Sequence, residues 1–316
     1  YLTSKQDVGD RVKIKSFDLE EIKMKKLIAL TLSVLMLFAA AACSSAAGET
    51  KGGEDAYSLV EAGKLTVALS PDFSPMEFVD TSKTDQEQYV GFDITLAKFI
   101  ADELGLELVI KPMSFEACQT AVQLGAVDMS ISGYSWTEIR AQNYSLSDYY
   151  FAGDNETQQT IITLAEKAGT FSDPADFTGL KVAAQAASLQ ETLCNEQIAD
   201  YASVELFKAI DDAVLALKTG KVDAVAVAYG NGEAIIANNP DIGMSGFLFT
   251  VDDAAANNVI LLNKNAAALT ETVNEVLAKA YDAGYYGQWY TDAKTLAGIE
   301  TAADVSYDDE GNAPQA

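Results

Sequence analysis

Short apolar runs that favour β-strands alternate with amphipathic helical segments along most of this 316-residue chain. Residues 65–69 (LTVAL) predict a buried strand, and Gly91-Phe92-Asp93 predicts the start of a helix with Asp93 as its N-cap. Strands that alternate with helices are typical of α/β folds with mostly parallel sheets. We therefore predict an α/β fold, and the length is sufficient for two lobes with separate hydrophobic cores.

An internal repeat supports an arrangement in two lobes. Residues 121–128 read AVQLGAVD, and residues 216–223 read ALKTGKVD, 95 positions later. Each copy predicts the end of a helix, a glycine that terminates it, a turn, and an aspartate that opens the next strand. One copy in each lobe is the simplest explanation, and chance similarity between two helix-to-strand turns is the alternative.

The N-terminal residues are predicted to lie outside the folded body. Residues 1–23 carry charges of both signs and are interpreted as upstream sequence translated in frame before Met24. Residues 24–42 have a basic start, an apolar run and small residues, as in a secretory signal peptide. The small residues before Cys43 resemble the lipobox of bacterial lipoproteins, which implies lipid on Cys43; an ordinary signal followed by an incidental cysteine is the alternative. Residues 43–56 are predicted to be a flexible tether.

The composition limits the possible partners. The chain has 21 basic and 47 acidic residues; residues 1–42 hold 7 and 5 of these, which leaves a net charge of −28 on the remaining residues. Such a charge repels phosphate backbones, so nucleic acid is not expected as a partner. There is no histidine, so the usual metal ligand and the usual general base near neutral pH are missing. We predict no metal site and no cofactor.

Two cysteines remain once Cys43 is assigned to lipid. Cys118 and Cys194 both fall on apolar faces of predicted helices. This position favours buried free thiols over a disulfide between them.

Arg140 is the most informative single residue. The only other arginine, Arg11, lies in the part interpreted as upstream sequence. Arg140 follows a loop of small residues at 132–135. A guanidinium group binds a carboxylate through two parallel hydrogen bonds, which lysine cannot do. Arg140 is therefore predicted to bind a carboxylate, and a surface salt bridge is the alternative.

Several motifs, in their order along residues 57–295, resemble the amino-acid class of extracellular solute-binding proteins (family 3) that serve ABC importers. They are Phe73 and Pro75, Gly91-Phe92-Asp93, Gly125 to Asp128, Thr137 to Arg140, and Ser147-Asp148-Tyr149. The resemblance implies a two-lobed periplasmic-binding-protein-like fold of type II, with two crossover hinge strands and the ligand in the cleft. We expect lobe 1 at residues 57–152 plus 257–300, lobe 2 at 153–256, and a loose acidic tail at 301–316.

The resemblance also implies which residues bind ligand. Arg140 would bind a ligand carboxylate, the loop would add donors, two phenylalanine rings would hold the body of the ligand, and the second lobe would donate across the cleft. The predicted ligand-binding residues are Phe73, Phe115, Gly133, Tyr134, Ser135, Arg140, Ser188, Gln190 and Tyr229. Ser188 is also predicted to cap a helix whose N-terminus suits an anion. For Tyr134 and Trp136, packing in the core is the alternative.

One position departs from the family pattern. The acid that usually binds the ligand ammonium would fall at Ala228, and the position of Ser70, often an aspartate in relatives, is also uncharged. Either another acid replaces it (Asp72, Asp154 or Glu156), or the ligand is not an ordinary α-amino acid.

The predicted function is capture of an amino acid or related small carboxylate by hinge closure, as the lipid-anchored binding component of an ABC transporter. The expected partners are the permease subunits and, through the lipid anchor, the outer face of the bacterial cytoplasmic membrane. The protein is not expected to be an enzyme. The alternative is a dehydratase-like enzyme on the same fold, acting on a small cyclic carboxylate with Asp154 or Glu156 as proton donor.

Overall fold

The computed structural model describes residues 49–50, 57–151, 153 and 158–299. Residues 1–42 with the predicted signal peptide, Cys43 and the predicted tail at 301–316 lie outside this part. None of the helices in the described part has the length and apolar character needed to cross a membrane.

The strands and helices of the described residues follow the alternation in the sequence. The strands are β1 (Glu49–Thr50), β2 (Tyr57–Ser58), β3 (Lys64–Leu69), β4 (Asp72–Phe73), β5 (Glu77–Val79), β6 (Tyr89–Val90), β7 (Glu107–Pro112), β8 (Met129–Ser135), β9 (Ser145–Leu146), β10 (Gln159–Leu164), β11 (Lys181–Gln185), β12 (Ser203–Phe207), β13 (Ala224–Ala228), β14 (Ile242–Leu248) and β15 (Asn258–Leu262). The helices are α1 (Phe92–Glu103), α2 (Phe115–Gln123), α3 (Glu138–Asn143), α4 (Leu189–Gln197), α5 (Ile210–Lys218), α6 (Tyr229–Asn238), α7 (Ala267–Asp282) and α8 (Tyr285–Leu296).

Two five-stranded sheets organise the fold. The first has the order β7-β3-β8-β15-β9, and the second has the order β12-β11-β13-β10-β14. In each sheet four strands run in one direction, and one strand, β15 in the first sheet and β10 in the second, lies antiparallel between two of them. A small antiparallel sheet of β4, β5 and β6 and the pair β1–β2 complete the strand pairing. The predicted α/β class is confirmed, and β1 lies within the segment predicted to be a flexible tether.

The chain crosses between the two sheets twice. It leaves the first sheet after β9 and returns to it with β15, and Tyr150 pairs with Asn258 where the two passages meet. We call the elements around the first sheet the first lobe and those around the second sheet the second lobe. The residue boundaries given above for the lobes stay a prediction.

The internal repeat has the same hydrogen bonds in both lobes. The backbone N–H of Asp128 bonds the carbonyl of Thr66, and its carboxylate accepts the N–H of Thr66 at 2.7 Å. Asp223 forms the same reciprocal pair of bonds with Lys181, at 3.0 Å for the carboxylate. Each aspartate thus ties the start of one parallel strand to the start of its neighbour. The structure places one copy of the repeat in each sheet.

The predicted N-cap at Asp93 is wrong. The N-cap of α1 is Gly91, at φ +122°, and a side chain there would overlap the carbonyl of Met76. Asp93 lies inside the first turn, and its carboxylate accepts the N–H of Gly133 and the hydroxyl of Tyr150 instead. The Asp93 carboxylate therefore bonds residues that are distant in sequence and does not cap its own helix.

The prediction of buried free thiols at the two remaining cysteines is confirmed. Cys118 and Cys194 are both buried and free. Burial raises the pKa of each thiol to about 12, so neither is a reactive thiolate near neutral pH.

Candidate functional site

A small cavity lies between the lobes. The first lobe contributes residues of β4, α2, β8 and α3, and the second lobe contributes the end of β11 and the start of α4. The lining residues are Phe73, Phe115, Ser132, Gly133, Ser135, Arg140, Gln185, Ser188, Leu189 and Gln190. A cleft between two lobes is a common position for a small-molecule site.

Most of the predicted ligand-binding residues come together at this cavity. Those in its lining are Phe73, Phe115, Gly133, Ser135, Arg140, Ser188 and Gln190. Sequence analysis missed Ser132, Gln185 and Leu189. Ser132 and Leu189 are chain neighbours of predicted residues, so the segments were identified but not every side chain in them. Gln185 carried no signal of its own, because it reaches the cavity only through the position of β11.

Arg140 is held against the cavity by bonds from both lobes. Thr137 caps the short helix α3 by accepting the N–H of Arg140. The guanidinium donates to the carbonyl of Ser135 at 2.7 Å and to the carbonyl of Ala187, in the second lobe, at 3.2 Å. Its carbon lies 5.1 Å from the ring centre of Tyr134 and 5.7 Å from that of Phe115, within range of a cation–π contact. Arg140 is only 5% exposed, so the alternative of an exposed surface charge is wrong.

The two other predicted aromatic residues, Tyr134 and Tyr229, lie outside the lining, and so does Trp136. Tyr134 is fully buried beneath Phe115, with ring centres 4.7 Å apart, and its hydroxyl bonds Ser130. Tyr134 therefore supports Phe115 and Arg140 from behind. Trp136 packs partly buried against the core beside α2, which agrees with the packing alternative. Tyr229 starts α6.

Gly133 forms the floor of the cavity. Its φ is +53°, and an added Cβ would lie 2.5 Å from the ring of Phe73. Its N–H donates to the Asp93 carboxylate at 2.8 Å. The neighbouring Ser132 hydroxyl donates to Glu77 and accepts the N–H of Ser70. The floor is therefore tied to two acids behind it, and only a glycine fits between them and Phe73.

These two acids, Glu77 and Asp93, are both fully buried. Burial raises the pKa of Asp93 to about 7, and burial together with the nearby Asp93 charge raises the pKa of Glu77 well above its usual range. The remaining oxygens, Glu77 Oε2 and Asp93 Oδ1, are buried as well, and a proton shared between the two groups satisfies both. The pair therefore carries at least one proton near neutral pH.

Two second-lobe residues predicted to donate to ligand have internal partners. Ser188 is the N-cap of α4: its hydroxyl accepts the N–H of Glu191 at 3.1 Å and donates to the carbonyl of Gln185 at 2.7 Å. Gln190 donates to the side chain of Gln159 at 2.7 Å. The predicted cap is confirmed, and it directs the N-terminus of α4 toward the cavity, where its partial positive charge favours an anion.

Hydrogen bonds join the two lobes around the cavity. The carbonyl of Ala187 accepts from Arg140 and, at 3.2 Å, from Gln119 of the first lobe. Ala187 has φ +63°, a conformation that is strained for a residue with a Cβ. Asn231 of α6 donates to the carbonyl of Ser74 at 3.0 Å. The structure is therefore that of a closed cleft.

Arg140 is the only charged residue among the described residues that line the cavity. Ala228, where the family pattern expects an acid, is fully buried at the end of β13. Asp72 lies outside the lining and bonds Ser70, Gln185 and Ile210. The other predicted replacements, Asp154 and Glu156, lie outside the described residues.

Two α/β lobes joined by two crossings, with a closed cavity and a buried guanidinium between them, are the arrangement expected for extracellular solute-binding proteins. The chain belongs to the bacterial extracellular solute-binding proteins, family 3, whose sequence model matches residues 65–292. The predicted family and the predicted two-lobed fold are confirmed.

Relatives and solved structures agree with this assignment. The arginine-binding extracellular protein ArtP of Bacillus subtilis is 26% identical over 276 residues, which cover 86% of this chain and 100% of ArtP. A probable histidine-binding protein of Campylobacter jejuni is 26% identical and covers 82% of this chain and 99% of its own length. The crystal structure of the substrate-binding protein AbpA from Streptococcus pneumoniae bound to L-arginine is 32% identical, with a TM-score of 0.68 over 76% of this chain and 97% of AbpA.

Proposed function

We propose that this chain is the lipid-anchored, extracellular substrate-binding component of an ABC importer, and that it captures an amino acid or related small carboxylate by hinge closure. The observation that carries the proposal is the buried guanidinium of Arg140 at a cavity lined by both lobes. A guanidinium binds a carboxylate through two parallel hydrogen bonds, so a ligand carboxylate matches the group that faces this cavity.

The geometry supports a carboxylate bound between two positive groups. Arg140 faces the cavity from the first lobe, and the N-terminus of α4 faces it from the second. To bind a carboxylate with both arms, the guanidinium would give up its 3.2 Å bond to Ala187. Each charge-assisted bond to the ligand would contribute about 1.5–3 kcal/mol. The rings of Phe73 and Phe115 would enclose the rest of the ligand.

The names of the relatives select the first ligands to test, L-arginine and L-histidine. The matched control compounds are agmatine and histamine, which lack only the carboxylate. We expect the amino acids to raise the thermal stability of the full chain, by about 2.7 kcal/mol at 100 times the dissociation constant. Agmatine or histamine binding as tightly as its parent amino acid would contradict the carboxylate site.

We further propose the lobe boundaries 57–152 plus 257–300 and 153–256, and a lipid on Cys43 after removal of residues 24–42. The anchor would hold the protein on the outer face of the bacterial membrane beside its permease. In a detergent phase separation, the wild-type chain should enter the detergent phase and Cys43→Ser should stay in the aqueous phase. Equal partitioning of the two would exclude the anchor.

The dehydratase alternative has no support from the relatives or from the described cavity. The relatives are named as binding proteins. The acids predicted to donate the proton, Asp154 and Glu156, lie outside the described residues, and no described feature of the cavity favours the reaction.

A further inference from the structure

Asp72 joins the two lobes at a point beside the cavity. It lies in β4 of the first lobe, and the hydroxyl of Ser70 holds one carboxylate oxygen at 2.7 Å. The other oxygen accepts two bonds from the second lobe: the backbone N–H of Ile210 at 2.7 Å and the side chain of Gln185 at 3.1 Å. Ile210 is the first residue of α5.

Among the described residues, no side chain of its own lobe caps helix α5. Its N-cap position is Ala209, which is extended (φ −129°, ψ 145°) and provides no side-chain hydrogen bond. The first N–H groups of a helix have no partner within the helix, and Asp is among the preferred residues that supply one. Here the acceptor for Ile210 comes from the other lobe.

We propose that Asp72 is a closure latch: a positioning residue that caps α5 of the second lobe only while the cleft is closed. The inference rests on the hinge closure of the proposed function. Opening the cleft would separate Asp72 from Ile210 and Gln185 together, since both belong to the second lobe. Closure restores both bonds and therefore favours the closed arrangement independently of any contact with ligand.

The latch is continuous with the binding cavity. Phe73, the residue after Asp72, lines the cavity, and so does Gln185, which bonds Asp72. A ligand that holds the lobes together and a latch that does the same stabilise one common state. Each must therefore strengthen the other, because coupling between two binding events is reciprocal.

The latch needs an acceptor oxygen more than it needs a negative charge. Burial raises the pKa of Asp72, and the nearby Asp211 on the first turn of α5 acts in the same direction. The charged form is therefore disfavoured in the closed cleft, even though Ser70, Ile210 and Gln185 all donate to it. Asparagine keeps an acceptor oxygen without the charge, and it is also a good N-cap residue.

The first test uses the full chain without ligand, and it measures hydrogen exchange at the Ile210 amide and the radius of gyration by X-ray scattering. In Asp72→Ala we expect exchange at Ile210 to accelerate about tenfold, as for loss of one intramolecular hydrogen bond, and the radius of gyration to increase. Asp72→Asn should behave like wild type in both measurements. The matched control is Asp80→Ala, because Asp80 is in the same lobe and, in the described contacts, its side chain bonds only Ser82 and Lys83 of its own loop.

A second variant separates the latch from a simple role in helix stability. Ala209→Asp gives α5 a cap in its own lobe, so the helix is not weakened, but it places a second carboxylate where Asp72 docks. The latch predicts an unfolding temperature at or above wild type together with a larger radius of gyration.

Two results would overturn the latch: wild-type exchange at Ile210 in Asp72→Ala, or wild-type compactness in Ala209→Asp. Neither measurement uses a ligand. A failure of every amino acid to bind would refute the proposed function and leave these two results to decide the latch separately.

Discussion

The buried pair Glu77–Asp93 makes a prediction about pH. The pKa of Asp93 is raised by burial from 3.8 to about 7. Between about pH 4 and pH 7 the folded protein therefore holds a proton on Asp93 that the unfolded chain has released. The free energy of unfolding contributed by this group is fully present below pH 4 and is lost as the pH rises through about 7.

The magnitude follows from the difference between the two pKa values. A difference of about 3 pH units at 1.36 kcal/mol each amounts to a loss on the order of 4 kcal/mol across this window. Glu77 acts in the same direction, because burial and the Asp93 charge raise its pKa as well. The expected effect is large compared with the total stability of a typical domain, about 5–15 kcal/mol.

Asp93→Asn removes the titration of Asp93, leaves that of Glu77, and keeps the geometry. The amide oxygen can still accept the N–H of Gly133, and the amide nitrogen can donate to Glu77. The variant should therefore lose less stability than wild type between pH 5 and pH 8. Urea unfolding at several pH values measures this.

Asp102→Asn, exposed on the same helix α1, is the matched control and should follow the wild-type pH profile. If Asp93→Asn and wild type lose equal stability between pH 5 and pH 8, the two acids do not hold the extra proton and the reasoning is refuted.

Two further predictions concern the cavity. Arg140→Lys keeps the positive charge but loses the planar pair of donors. Calorimetry should therefore show that L-arginine binds at least about tenfold more weakly. Unchanged affinity would exclude the predicted role of Arg140. Gly133→Ala places a methyl group against Phe73 at φ +53°, which should destabilise the fold by about 2–4 kcal/mol in urea unfolding. Ala replacing the exposed Gly63, also at positive φ but with open space around it, should lose only the backbone part, about 1–2 kcal/mol.

The sequence by itself determined the features that depend on neighbouring residues. Alternating periodicity predicted the α/β class, Ser188 was identified as a cap from its place before a helix, and the order of short motifs indicated the family. Arg140 could be selected because its unusual residue type follows a run of small residues at 132–135. This run was predicted to be a loop, which is wrong, because the structure places it in β8. Each of these signals lies within a few positions along the chain, where helix geometry and strand alternation act directly.

Only the tertiary structure determined which side chains from distant segments contact each other. Asp93 was expected to cap its own helix, yet it bonds Gly133, 40 positions away. Tyr134 was expected to face ligand, but the pleat of β8 turns it behind Phe115. The bond between Asp72 and Ile210 spans 138 positions and joins the two lobes. Neighbouring residues cannot predict such a contact, because neither Asp72 nor Ile210 is unusual within its own segment. The hydrogen bond contributes free energy only when folding buries both residues together.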